Sequence, residues 1–184
     1  TKNGGIKVLK GNIAPDGAIL KPSAASEHLM QHKGKSVVFE SIEEFNSKIH
    51  DPLLDVDENS ILVLKNCGPK GYPGMAEVGN MILPQKILKK GIRDMIRISD
   101  ARMSGTAYGT VILHTSPEAA IKGPLAAVQN GDEIQVDVKN GLMQLLVDDK
   151  VIEERLKNYK PILPDIKSGY QKMYIDHVMQ AHEG

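Results

Sequence analysis

Short apolar segments recur along the chain and alternate with polar positions, a pattern more typical of strands than of helices. The alternation is clearest in residues 133–138 and 142–147, which flank Asn140-Gly141, a strong signal for a hairpin turn. The most apolar segment, residues 60–64, predicts a buried strand. Further strands are expected in residues 6–12, 18–20, 36–39, 95–98 and 108–114, with Pro15-Asp16-Gly17 as the turn between the first two.

Helix-capping residues predict a small number of short helices. Ser41-Ile42-Glu43-Glu44 has the Ser-x-x-Glu spacing of a capping box, so a helix should begin there and end near His50. Other helical segments are expected in residues 84–91, with Pro84 in the first turn, in residues 116–123, with Pro117 in the first turn, and in residues 148–159. Residues 160–184 are rich in helix breakers and are predicted to form an irregular tail.

Together these elements predict a strand-rich, mixed α/β fold. Strands and helices do not alternate regularly, which argues against a doubly wound nucleotide-binding sheet. We expect residues 1–184 to form one domain with a β-barrel-like or sandwich core and short peripheral helices. A chain of this length buries roughly 70% of the surface that its unfolded form exposes, which suffices for such a core without disulfides.

Charge and cysteine content exclude several classes of function. The 23 basic and 23 acidic residues cancel, so no electrostatic attraction to nucleic acid or to an anionic membrane is expected. Cys67 is the only cysteine, which excludes an intrachain disulfide and an all-cysteine iron–sulfur cluster built from this chain alone. The low count favours a cytoplasmic or organelle-matrix location, and no apolar run approaches the roughly 20 residues of a membrane span. Because the chain begins with Thr1, we expect it to be part of a longer protein.

One candidate for chemistry is residues 67–77, termed the glycine loop, which follows the most apolar strand and ends at Glu77. Its glycines allow close approach of the backbone to a ligand, and the Glu77 carboxylate is a hard oxygen ligand suited to Mg²⁺. The alternative is a rigid surface turn with a glutamate at a helix N-terminus.

A second candidate is residues 99–106, termed the serine loop, which also follows a strand. Ser104 and Thr106 flank Gly105, and Arg102 lies nearby, an arrangement suited to an oxyanion or a carboxylate substrate. The alternative is an ordinary hydrogen-bonded Ser/Thr turn.

Histidines and the cysteine give weaker signals. His28 and His32 have i,i+4 spacing, but a solvated helix face is a better interpretation than a metal site because no third ligand is near. His114 is expected to be a hydrogen-bonded strand residue, and Cys67 an unreactive buried thiol. No partner is predicted for His182 in the tail.

The two loops taken together resemble the dihydroxy-acid and sugar-acid dehydratase family. Its members carry a Gly-Pro-(Lys/Arg)-Gly-x-Pro-Gly-Met-x-Glu loop and a (Ser/Thr)-Asp-x-Arg-x-Ser-Gly loop, and both occur here in that order. The similarity extends over nearly the whole chain and includes three further segments: Gly11-Asn12-Ile13-Ala14-Pro15-Asp16-Gly17-Ala18, His114-Thr115-Ser116-Pro117-Glu118-Ala119-Ala120 and Gly123-Pro124-Leu125-Ala126.

This resemblance implies a swivelling β/β/α domain, related in architecture to the mobile domain of aconitase, at the C-terminal end of a longer dehydratase. It implies that Glu77 binds Mg²⁺, that Ser104 is the catalytic base, and that Gly105 and Thr106 lie near the substrate carboxylate. An N-terminal domain of the same polypeptide would hold an iron–sulfur cluster and the remaining Mg²⁺ ligands. The full-length enzyme is expected to be a homo-oligomer that acts on a small hydroxy acid, and this domain alone is expected to be inactive.

The implied reaction removes water from a 2,3-dihydroxy acid and yields a 2-keto-3-deoxy acid. A Lewis-acidic metal makes the C3 hydroxide a tolerable leaving group, while a base removes the C2 proton. A serine hydroxyl can act as that base only if nearby cations stabilise its alkoxide, so Ser104 would depend on metals held outside this chain.

Departures from the family pattern bear on the substrate. Ala101-Arg102-Met103 stands where branched-chain pathway members usually have Gly-Arg-Phe, and Tyr72 and Ala76 replace a common glycine and proline. This variant resembles the aldonic-acid branch, such as arabinonate or xylonate dehydratases. The alternatives are a dihydroxy-acid dehydratase of branched-chain amino acid biosynthesis and a non-catalytic module for small-ligand binding or assembly.

Overall fold

A computed structural model describes residues 5–75 and 77–184 as a closed eight-stranded barrel with four short α-helices around it. The strands are β1 (Lys7–Gly11), β2 (Ala14–Leu20), β3 (Gln31–Phe39), β4 (Ile61–Leu64), β5 (Arg97–Ser99), β6 (Val111–Ser116), β7 (Glu133–Asp137) and β8 (Leu142–Leu145). The helices are α1 (Ile42–Lys48), α2 (Gln85–Lys89), α3 (Asp149–Asn158) and α4 (Gly169–His177). The expected mixed α/β fold with a barrel-like core is therefore confirmed.

The order of strands around the barrel is β1-β2-β6-β5-β4-β3-β7-β8. The four strands from β6 to β3 are mutually parallel, whereas β2 pairs with β6, and β7 with β3 and β8, in antiparallel fashion. Parallel neighbours cannot be joined by a tight turn, so long connections must leave their ends. The glycine loop and the serine loop begin two of these connections.

Strand β4 shows why the parallel strands lie at the centre of the fold. All four of its residues are buried, as expected for a strand that is covered on both faces. Ile61 and Val63 pack in the barrel interior, and Leu62 and Leu64 pack against an outer cluster that includes Phe45 of α1 and Ile87 of α2. The barrel wall between these two cores holds the ends of β4 and β5 at fixed positions.

Several predicted elements are confirmed with small shifts. Helix α1 is capped by the Ser41 hydroxyl, which accepts from the Glu44 N–H, while the Glu44 carboxylate accepts from the Glu40 N–H. The hairpin of β7 and β8 turns at Asn140-Gly141, with Gly141 at a φ of 68°. Strands β5 and β6 each begin two or three residues later than predicted.

The predicted turn at Pro15-Asp16-Gly17 is wrong, because these residues lie within β2 and the chain reverses at Asn12-Ile13 instead. Gly17 has a φ of 116°, and the β2–β6 register shifts beside it. Turn-forming residues in this segment therefore mark a bulge within a strand rather than its start.

Residues 116–123 also differ from expectation. Strand β6 continues to Ser116, the Ser116–Pro117 peptide is cis, and the helical turn begins only at Ala119. The Glu118 carboxylate accepts from backbone N–H groups of the glycine loop, which local capping rules do not consider. A tertiary contact thus replaces the expected N-cap.

The prediction that residues 160–184 are irregular is wrong for their second half. Residues 160–168 contain no helix or strand, but α4 begins at Gly169, with Ser168 at the N-cap position. A Lys172–Asp176 ion pair at i,i+4 spacing supports this helix. Gly169 has a φ of 82° and is the first residue of α4, so this glycine does not break the helix interior. Among the described residues, no helix is both long and apolar enough to cross a membrane.

Candidate functional site

The two loops leave the same edge of the barrel. Strand β4 ends at Leu64 and β5 ends at Ser99, and these two residues are register partners in a parallel pair. The chain segments that follow therefore start side by side. The Arg102 Nε atom donates to the Met75 carbonyl at 2.6 Å, a contact that ties the serine loop to the glycine loop.

This junction brings Glu77 and Ser104 into direct contact. The Ser104 hydroxyl donates to Glu77 Oε1, lies 2.9 Å from Thr106 Oγ1 and accepts from the Thr106 N–H at 3.2 Å. Glu77, Gly105 and Thr106 are exposed and Ser104 is half-buried, so the cluster lies at an open rim. Ala76, one of the positions that depart from the family pattern, is outside the described residues.

The oxygen atoms of this cluster fit part of a magnesium site. A carboxylate and two hydroxyls are hard donors of the kind that Mg²⁺ binds. However, no group of three or more His, Cys, Asp or Glu side chains able to hold a metal occurs within residues 5–75 and 77–184. Any Mg²⁺ bound at Glu77 would need further ligands from water, from substrate or from another part of the protein.

A groove of about 460 Å³ opens beside Ser104. Lys21 and Gly105 line it, and the Lys21 ammonium donates to the Gly105 carbonyl at 2.8 Å. A Cβ atom built on Gly105 would have no heavy atom within 4 Å, so the space above this residue is free. The groove places a positive charge and an open backbone position next to the serine hydroxyl.

Asp100 is the buried anchor of both loops. Its carboxylate is 0% exposed and accepts three backbone N–H groups: Cys67 at 2.8 Å, Ala119 at 2.9 Å and Asn66 at 3.2 Å. Desolvation raises the pKa of Asp100 to about 7, against the lowering effect of these hydrogen bonds. The side chain thus fixes the start of the glycine loop relative to the serine loop from which it projects.

A second buried carboxylate, Glu118, holds the middle of the glycine loop. It accepts from the N–H groups of Lys70 and Gly71, and the Gln180 amide donates to it at 2.7 Å. A Cβ atom on Gly71 would lie 2.6 Å from the Ala120 Cβ, so only glycine permits this close packing. The tail therefore reaches back to support the candidate site.

The other candidates from the sequence do not join this site. His32 lies in β3 and bonds to the Asn59 carbonyl, whereas His28 lies in a separate 3-10 turn, so the two share no helix face. Cys67 is buried, and burial raises the pKa of its thiol, which agrees with an unreactive role. His182, for which no partner was predicted, bonds through Nδ1 to the Ser116 hydroxyl at 2.7 Å.

A further cavity lies away from the two loops. It measures about 560 Å³ and lies between Lys65, near the end of β4, and α3. The buried Lys65 ammonium pairs with Glu40 at 2.8 Å, and Arg155 pairs with Asp132 at 2.5 Å. Since both cations are already paired with carboxylates, this cavity is a weaker candidate for binding an anionic substrate than the groove beside Ser104.

Sequence reasoning missed the supporting residues of the site. Asp100 and Glu118 belong to recognised segments, yet neither was predicted to be a buried anchor, because an acidic residue gives no sequence signal of burial. Gln180 and Lys21 are far from both loops along the chain, and only the folded barrel brings them there. The single available clue was the proximity of Asp100 and Glu118 to small residues, which leave room for buried carboxylates.

Comparison with known proteins identifies the family. Residues 1–184 match the family described as dihydroxy-acid/6-phosphogluconate dehydratase C-terminal. The chain belongs to this dehydratase family. The resemblance to the dehydratase family, first indicated by the two loops, is thereby confirmed over the full length of the chain.

Three relatives illustrate the similarity. An L-arabinonate dehydratase of Rhizobium leguminosarum bv. trifolii is 61% identical over 184 residues, which cover 100% of this chain and 32% of the relative. An L-arabonate dehydratase of Azospirillum brasilense is 56% identical over 188 residues, covering 99% and 32%. A dihydroxy-acid dehydratase of Clostridium botulinum is 38% identical over 185 residues, covering 100% and 33%. The chain thus spans about a third of the length of these dehydratase relatives.

Proposed function

We propose that this chain is the C-terminal domain of a longer hydro-lyase that converts an aldonic acid into its 2-keto-3-deoxy acid. Family membership supports the reaction class, and the higher identity to arabinonate dehydratases than to a branched-chain dihydroxy-acid dehydratase supports the substrate class. The observation that carries the proposal is the contact between Glu77 and Ser104 at an open rim. A rim of this kind suits a cavity whose opposite wall belongs to the remainder of the polypeptide.

Ser104 is assigned the role of base for the C2 proton. Its oxygen already accepts from the Thr106 N–H, and the Thr106 hydroxyl at 2.9 Å can donate a second hydrogen bond. Both donors favour a negatively charged oxygen. The Glu77 carboxylate instead disfavours a negatively charged Ser104 oxygen, because two neighbouring negative charges repel each other. Ser104 therefore becomes basic only when positive charge accompanies Glu77.

A magnesium ion bound by Glu77 would supply that positive charge and attract the oxygens of the substrate. The Lys21 ammonium and the backbone around Gly105 are assigned to the substrate carboxylate, since they line the groove that adjoins Ser104. Thr106 orients Ser104 toward this groove through their shared hydrogen bonds.

An iron–sulfur cluster does not fit the residues of this chain. Cys67 is its only cysteine, and that thiol is buried with a raised pKa. We therefore assign the cluster to the N-terminal part of the longer protein, together with the remaining Mg²⁺ ligands. The same assignment explains why the isolated domain should be inactive, and it is compatible with a cytoplasmic homo-oligomer.

The substrate class is tested by anaerobic assay of the full-length protein with L-arabinonate, D-xylonate and 2,3-dihydroxyisovalerate. We expect kcat/KM for an aldonic acid to exceed that for the branched-chain acid by at least about tenfold, because a site that hydrogen-bonds the additional hydroxyls of an aldonic acid leaves polar groups unpaired when they are missing. A preference for 2,3-dihydroxyisovalerate would support the branched-chain alternative. Turnover of none of the three would contradict the proposed reaction.

Glu77→Gln tests the magnesium assignment. Glutamine keeps an oxygen near the Ser104 hydroxyl but lacks the negative charge that attracts a divalent cation. We expect the Mg²⁺ concentration for half-maximal activity to rise at least about tenfold, a change of about 1.4 kcal/mol in binding. Calorimetric Mg²⁺ titration should show the same weakening. The matched control is Glu153→Gln on the exposed face of α3, and a Glu77→Gln titration identical to this control would remove Glu77 from the metal site.

A further inference from the structure

His114 holds the serine loop by two hydrogen bonds. Its backbone N–H donates to the Ala101 carbonyl at 2.9 Å, and its Nε2 atom accepts from the Met103 N–H at 2.8 Å. These bonds bracket Arg102, whose side chain is bound to the glycine loop. The second bond fixes the residue immediately before Ser104.

The backbone of His114 is unusual for a strand. It has a φ of 54°, whereas β-strand residues have negative φ values, and left-handed conformations of non-glycine residues cost free energy that surrounding contacts must compensate. Its neighbours Leu113 and Thr115 are buried, while His114 itself is half-buried at the serine loop. Strand β6 thus departs from regular geometry at the residue whose imidazole contacts Met103.

We propose that His114 is a positioning residue, which sets the orientation of Ser104 by accepting the Met103 N–H. This inference rests on the proposed role of Ser104 as base. His114 does not itself line the groove, and its imidazole bonds to the backbone N–H of Met103, which does, so it acts through the loop backbone. Without the acceptor, the Met103 N–H loses its partner and the peptide before Ser104 is free to rotate.

The acceptor exists only while the imidazole is neutral. Burial and the nearby Arg102 guanidinium both lower the pKa of His114 below its usual 6.5, so Nε2 stays unprotonated at neutral pH. Charged side chains of the flanking strands and their ends are engaged elsewhere: Arg97 with Asp94, Asp16 with His182, and Lys21 with Gly105. As pH falls through the lowered pKa, protonation removes the acceptor and the orientation of Ser104 is lost.

The test compares His114→Gln with His114→Leu in the full-length enzyme. A glutamine oxygen can reach the Met103 N–H but does not titrate, whereas leucine fills similar space without an acceptor. We expect His114→Leu to lower kcat by at least about tenfold with little change in KM, the effect of losing one hydrogen bond that matters in the transition state. His114→Gln should keep kcat within about threefold of the parent at neutral pH, and its activity should persist at acidic pH where the parent loses activity.

His32→Gln is the matched control, because the His32 imidazole also bonds to the backbone through Nε2, donating to the Asn59 carbonyl, but lies near the start of β3 and contacts neither loop in the described structure. The proposal would be overturned if His114→Leu kept the kcat of the parent. It would also be overturned if His114→Gln lost activity at acidic pH in the same way as the parent. If His114→Leu fails to fold, the pH–activity profiles of His114→Gln and the parent still test the positioning role of His114. An active Ser104→Ala variant would instead contradict the proposed function, which keeps the two failures distinct.

Discussion

Ser104→Ala in the full-length enzyme is expected to lower kcat by a factor of roughly 10²–10⁴, the usual contribution of a positioned general base. The methyl group of alanine cannot take the C2 proton, and the Thr106 donors then face no acceptor. The fold should be unaffected, because the bonds of the Ser104 hydroxyl within the described residues are to Glu77 and Thr106 at the rim. Steady-state kinetics with an aldonic acid measure the loss.

The control for this experiment is Ser47→Ala, since the Ser47 hydroxyl lies on α1, away from the two loops, and donates to the Glu44 carbonyl of the same helix. Melting temperature and cofactor absorbance should match the parent in both variants. Turnover by Ser104→Ala close to that of Ser47→Ala would exclude Ser104 as the base. A loss of cofactor absorbance with activity would indicate a structural rather than a catalytic effect.

Asp100→Ala is expected to have the largest effect on stability. Three buried N–H groups lose their acceptor, and each buried donor without a partner costs roughly 1–3 kcal/mol, so the free energy of unfolding should fall by at least about 3 kcal/mol. Asp100→Asn keeps one of the two acceptor oxygens and should be intermediate. Urea unfolding of the 184-residue chain measures the series, with the exposed Asp51→Ala as control.

Asp100 also predicts a pH dependence with a definite sign. An unfolded aspartate has a pKa near 3.9, whereas burial raises that of Asp100 to about 7. Folding therefore favours the protonated form, and the contribution of this group to stability decreases as pH rises from about 4 to 7. Asp100→Asn should lack this dependence. If the free energy of unfolding of Asp100→Ala lies within about 1 kcal/mol of that of Asp51→Ala, the carboxylate is not the anchor of the loops.

Most of the strands were predictable because apolar alternation reports which residues face a core. Residues 60–64 and the Asn140-Gly141 hairpin were placed correctly from pattern alone. Closure of the sheet was not predictable, since strand order depends on contacts between distant segments. The strand through Pro15-Asp16-Gly17 and helix α4 were missed, because breaker residues lose their local meaning at a bulge or a helix start.

The site was predictable only in part for a similar reason. Local composition identified the two loops, and each was correctly placed after a strand. Asp100, Glu118 and Gln180 act through burial and long-range hydrogen bonds, for which a single sequence gives no signal. The roles of Glu77, Ser104, Gly105 and Thr106 stay predictions until the variants are measured.

The pairing of Leu64 with Ser99 has a consequence for how specificity can diverge among relatives. Because both loops are rooted on adjacent strands of the barrel wall, we expect an exchange at a position such as Met103, which lines the groove, to alter the groove while the bases of the loops stay in place. New substrates can therefore be accommodated by point changes in two short stretches, without remodelling the body that carries them.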